Sequence, residues 1–334
     1  MIGVAAALLC GCGGLQPALV AADAGRSFSS TPRTSPCPCL YVTNANDNAV
    51  TVYPLVATGN VKPIQDIRGV KTGLHHPRDV AVDKKGNIYI ANASPASVTV
   101  YAAGATGNVE PIKTISGHST ELSLPSGIAV DPKHGDIYVS NTAGGPIKIG
   151  SVTVYAPGAS GDVPPTGVIQ GPNTRLEHPN SLALDASGNI AVTNALVFYP
   201  GWVTFYSAGS RGNVAPVRTI QGARTKIGWP TQIAIDSNLD AYVANHDGSN
   251  LTVYAPGANG NVAPIRNVHG RRTRLISPFG VAADSSGNIY AAGGVAARSR
   301  ITVYAAGSNR NAHPIRAVAG DHTGLDSPQG IAIH

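Results

Sequence analysis

A chain of 334 residues with 39 Gly, 25 Pro, 5% aromatic and 13% charged residues is long enough to bury a large core and is composed like an all-β protein. Its net charge of +6 is spread mostly as single Lys and Arg residues, apart from the pair Lys84-Lys85 and the group Arg271, Arg272 and Arg274, which argues against a nucleic-acid-binding face. The four cysteines include no C-x-x-C pair, so neither a disulfide framework nor a zinc ribbon is expected.

Residues 1–24 read as a signal peptide or lipoprotein leader. Met1 to Leu9 is an apolar run, and Ala22-Asp23-Ala24 has the small-x-small pattern of a cleavage site. Leu9-Cys10-Gly11-Cys12 resembles a lipobox, which would place a lipid on Cys12 and make that lipid the membrane contact. The expected destination is outside the cell, in the periplasm or at the envelope. Residues 25–39 follow as a disordered Ser/Thr/Pro linker, with Cys37 and Cys39 at its end as two free or surface-paired thiols.

From residue 40 to 334 one unit recurs. Its anchors are Pro77, Pro125, Pro179, Pro230, Pro278 and Pro328, spaced 48, 54, 51, 48 and 50 residues apart, and the matching Tyr53, Tyr101, Tyr155, Tyr206, Tyr254 and Tyr304 have the same spacings. A fixed period of this size marks an array of supersecondary units, none able to bury its faces alone. Each unit reads as four short strands of the types GIAVD, NIYVAN, VTVY and APIRTI, separated by Gly, Pro, Asn or Asp turns. The predicted fold is a six-bladed β-propeller of four-stranded antiparallel blades. LYVTN at Leu40 matches a second strand and PQGIAIH at Pro328 a first strand, so a C-terminal innermost strand should complete the N-terminal blade.

Positions shared by all blades read as scaffold, and positions that differ read as free to specialise. Asp83, Asp131, Asp185, Asp236 and Asp284 fit turn chemistry, as do the threonines Thr72, Thr120, Thr174, Thr225, Thr273 and Thr323. Every tyrosine lies 24 residues before the next anchor proline. Length variation therefore lies almost wholly in the loops between second and third strands, longest after Asn141, Asn194 and Gly293. Strand direction puts those loops and the anchor prolines on one face, at the mouth of the central channel, where binding is expected.

The candidate ligand-binding residues on that face are Arg78, Asp79, Asn180 and Thr231 after the anchor prolines, with the aromatics Phe198, Trp202 and Trp229. Asn141, Asn194 and Asn245, which end second strands, would complete a polar ring. A packing role between blades for Trp202 and Trp229 is an equal reading, and water filling the polar ring is the reading favoured over a ligand there. His75, His76, His178 and His246 fall near the same face without the spacing of a zinc site. No G-x-S-x-G elbow is present.

HHPRDVAVDKKGNIYIAN, LPSGIAVDPKHGDIYVSN and SPFGVAADSSGNIYAAG resemble NHL repeats, and LYVTNANDNAVTVY resembles the YVTN-type propeller repeat. The resemblance implies a propeller fold and allows protein-binding, RNA-binding or enzymatic function. The gluconolactonase-like propellers, more distantly similar, hold calcium with a Glu, an Asp and asparagines. Here Asn141, Asn194 and Asn245 would supply the neutral ligands, and only Asp79 and Glu177 the acidic ones. The expectation is an exported binding or scaffolding module with no resident cofactor. It would act as a monomer, engaging a protein, glycan or small-molecule ligand at the channel mouth, with no nucleic acid. The alternative is a calcium-dependent lactonase.

Overall fold

The computed structural model describes residues 38–142, 150–195 and 200–334. The proposed leader, most of the linker with Cys37, and Phe198 lie outside the described residues.

Six four-stranded antiparallel sheets form the ring. Their innermost strands are Pro77–Val82, Pro125–Val130, Pro179–Leu184, Pro230–Ile235, Pro278–Ala283 and Pro328–Ile333, and blades are numbered first to sixth in that order. The sixth blade joins the two ends of the chain, with Pro328–Ile333 pairing antiparallel to Cys39–Asn44, Tyr41 opposite Ala332. A second tie closes the same seam on the outside, where Gly59 bridges in parallel to Val318 of the fifth blade. Equivalent bridges, such as Ile67 to Gly107 and Ile115 to Gly161, link the other neighbours.

The core lies between blades. Alternation sends Val50, Val52 and Ile67 of the sixth blade against Val80, Ile88 and Ile90 of the first, and a similar buried cluster fills each of the six interfaces. Cys39 belongs to this packing. It starts a strand and is completely buried, which corrects its placement at the end of the linker. The strand needs a small apolar side chain there, and a thiol supplies one.

The tyrosine and threonine columns turn out to be partners. Tyr101 Oη donates to the Thr72 carbonyl at 2.6 Å, and Tyr53, Tyr155, Tyr206, Tyr254 and Tyr304 make the same bond to the threonines of their own blades. Burial pushes the Tyr101 phenol up to about 12, so it remains a donor. Each bond pins the segment that crosses between blades to the strand beside it. Tyr101→Phe keeps the packed ring but orphans a buried carbonyl, and a loss of about 1–3 kcal/mol is expected in urea denaturation. An unchanged midpoint would show that water replaces the hydroxyl.

Candidate functional site

The mouth is shaped by two backbone irregularities that recur around the ring. The residue before each anchor proline is left-handed, with φ of 45° at His76, 49° at Leu124, 46° at His178, 43° at Trp229, 40° at Ser277 and 52° at Ser327. In all six blades the register of the innermost strand then shifts just after the proline, as between Pro77 and Asp79 or Pro278 and Gly280. A bulge re-aims side chains that simple alternation would send elsewhere.

The second residues after the prolines meet on the axis. They are Asp79, Gly127, Ser181, Gln232, Gly280 and Gly330. Asp79 is 2% exposed and accepts four hydrogen bonds. Val80 N–H and Gln232 Nε2 donate to Oδ1 at 2.9 and 2.7 Å, and Ile128 N–H and Ser181 Oγ donate to Oδ2 at 3.3 and 3.2 Å. Gln232 continues the network. Its Oε1 accepts Val281 N–H at 2.8 Å and Ile331 N–H at 3.2 Å, while its Nε2 also donates to Ile331 O at 3.2 Å. Every innermost strand thus contributes to one hydrogen-bonded hub that closes the channel.

The three glycines sit where a side chain would collide with the next innermost strand. A Cβ on Gly330 would sit 2.4 Å from Asp79 Oδ1 and 2.5 Å from its Cα, and one on Gly127 would sit 2.5 Å from Ser181 Cα. Neither clash can be relieved by turning a flexible side chain. Full burial pushes the Asp79 carboxyl up to about 7, although each of the four hydrogen bonds favours its ionised form.

Above the hub is a cavity of about 80 Å³ walled by Arg78, Ser126, Asn180, Trp229, Thr231, Phe279, Gln329 and Gly330, with Asp79, Ser181 and Gln232 at its floor. Arg78 is exposed to solvent at the rim, yet enough protein surrounds it that desolvation lowers its pKa. Among the described residues no carboxylate pairs with it. On the opposite side Trp229, His246 and Phe279 form a tilted aromatic row, with ring centroids 5.0 and 4.7 Å apart.

The cavity brings together Arg78, Asp79, Asn180, Trp229 and Thr231 from the sequence-predicted set. The other described candidates are elsewhere. Asn141, Asn194 and Asn245 do not form a polar ring at the mouth, being completely buried. Their Oδ1 atoms accept the N–H groups of Ser123, Glu177 and Gly228, and their Nδ2 atoms donate to Thr153, Thr204 and Thr252. Asn44 and Asn92 make the same pair of bonds in their blades, so this column is a structural latch. Trp202 is likewise in the packing, 6% exposed, with Nε1 donating to Arg175 O at 3.0 Å.

The ligand set suggested for calcium does not fit this arrangement. Both oxygens of Asp79 carry two donors each, the three asparagines are committed to the latch, and Glu177 is an exposed residue outside the cavity wall. A further carboxylate-histidine trio, Asp131, His134 and Asp136, lies in a turn at the far end of the second blade's innermost strand. Its Asp131 is held by Lys133 N–H and His134 Nδ1.

Comparison with known proteins places the fold only. No family model matches the chain, and no curated protein matches it. Among solved structures it is similar to a protein of unknown function from Bacteroides caccae, at 13% identity and a TM-score of 0.62 over 89% of this chain and 98% of that one. It is also similar to a chain of the nidogen/laminin complex, at 15% identity and a TM-score of 0.61 over 89% and 97%.

Proposed function

We propose that the chain is an exported propeller of NHL or YVTN type that serves as a binding or scaffolding module, taking a ligand or protein partner at the channel mouth. The observation that carries this reading is the hub. It seals the channel beneath the mouth, and the cavity above it is walled by positions at which the repeats differ. A rigid ring with a specialised mouth is suited to recognition. That a similar fold occurs in a complex between two proteins supports a protein partner.

A channel-centred hydrolase is less well supported, because a catalytic metal needs carboxylate lone pairs that Asp79 has already given to its four donors. The test uses the full chain carrying Trp202→Phe, which leaves Trp229 as the reporting indole. A saturable change in emission is expected with a glycan or protein partner, and none with calcium. A calcium response accompanied by lactone hydrolysis would overturn the reading in favour of the enzyme.

A further inference from the structure

We infer that the mouth cavity takes a carboxylate carried on a planar apolar body, with Arg78 and Gln329 holding the anionic group and Trp229 and Phe279 flanking the body. This rests on the mouth being the binding site and names the ligand class.

Accounting for the polar groups in the cavity leaves few free. Asn180 Nδ2 donates to Pro230 O at 3.0 Å, and Thr231 Oγ1 donates to Ala244 O and Pro278 O at 3.2 and 3.1 Å. Ser126 Oγ is engaged with Thr142 Oγ1 and Leu124 O. Asp79, Ser181 and Gln232 are used in the hub. Apart from the Trp229 indole N–H, two side chains remain without a hydrogen-bond partner among the described residues, the Arg78 guanidinium and the Gln329 amide.

Gln329 is only 9% exposed, and its amide, which has no partner among the described residues, is open to the cavity and free to pair with a group bound there. Arg78 is a cation at the cavity rim that no carboxylate pairs with among the described residues. The two lie on neighbouring innermost strands, those of the first and sixth blades, so one group can meet both. A guanidinium fork matches the two oxygens of a carboxylate, and the amide N–H can share one of them.

The aromatic side of the cavity stands on the fourth and fifth blades, the fifth packing directly against the sixth. Trp229 occupies the left-handed position before its proline, where other blades have His, Leu or Ser, so the backbone does not require an indole there. Its ring and that of Phe279 present apolar faces to the same space in which Arg78 lies. A ligand with an anionic end and a flat apolar end satisfies both sides.

The experiment titrates the full chain carrying Trp202→Phe with benzoate, with its neutral isostere benzamide and with benzylamine, reading Trp229 emission. Saturable binding of benzoate is expected, with benzamide weaker by about tenfold or more, as fits the loss of one charge-assisted contact, and no binding of benzylamine. Arg78→Ala should weaken benzoate by a similar factor and leave benzamide nearly unchanged, and Arg78→Lys should recover part of the loss. A melting curve matching the parent's shows that Arg78→Ala still folds. Equal binding of benzoate and benzamide, insensitive to Arg78→Ala, would overturn the carboxylate while leaving the mouth as the site. No saturable response to any of the three would also overturn it, and the partner titration above would then decide the mouth reading separately.

Discussion

Folded-state stability should fall as pH rises from about 4 through about 7, and Asp79→Asn should remove most of that slope. The folded carboxyl has a pKa of about 7 against an ordinary value of 3.8. Because the native state binds this proton more tightly than the unfolded chain, the stabilising contribution is complete below the unfolded value and is lost as pH passes the folded one. The displacement corresponds to something on the order of 4 kcal/mol between the two limits. The turn carboxylates Asp83, Asp131 and Asp284 are shifted the other way, so their contributions are lost on the acid side. Subtracting the variant's profile from the parent's isolates Asp79. Urea midpoints measured across this range check the prediction, and parallel profiles would contradict it.

Removing Pro328–His334 should abolish cooperative folding. The deletion exposes the edge of Cys39–Asn44 and takes away Ile331, which is buried in the interface with the fifth blade. It also leaves Gln232 Oε1 and Nε2 short of their Ile331 partners, and Thr43 Oγ1 without Gly330 N–H. Since blades are stable only through their neighbours, an open ring loses an interface at the seam and gains an aggregation-prone edge. Loss of the thermal transition together with aggregation on size-exclusion chromatography is the expected result. A monomeric, cooperatively melting product would mean that the outer bridge from Gly59 to Val318 closes the ring unaided.

The blade count, the seam and the turn role of the aspartates could be read from the sequence because they follow from periodicity and local turn chemistry. Five of the candidate site residues also fell at the cavity, since strand direction alone assigns the post-proline positions to the mouth. The asparagines were misplaced because a strand-end position gives the location of the Cα but not the partner of the side chain. Asn141 Oδ1 turns back to Ser123 N–H, a contact across 18 positions that no local pattern announces. Trp202 begins the strand Trp202–Tyr206 and packs inward, in line with the packing reading that stood level with ligand binding for it.

Gln232 and Gln329 follow anchor prolines but were not among the sequence candidates. Their roles depend on the bulge after each proline, which carries their side chains toward the axis, and on the distant blades they meet there. Gln232 contacts Asp79 across 153 positions of sequence. The one hint available was that Asp, Ser and Gln share a single repeat position with three glycines, a pattern that fits a crowded axis admitting only some side chains.

The Asp79 carboxyl carbon, followed by ¹³C NMR and assigned by its absence in Asp79→Asn, tests the sealed channel most directly. A titration midpoint raised to about 7 is expected if the hub excludes water as described. A midpoint in the ordinary carboxylate range, near 3.8, would mean that solvent reaches Asp79 through an open channel, and the case against chemistry within the channel would fail with it.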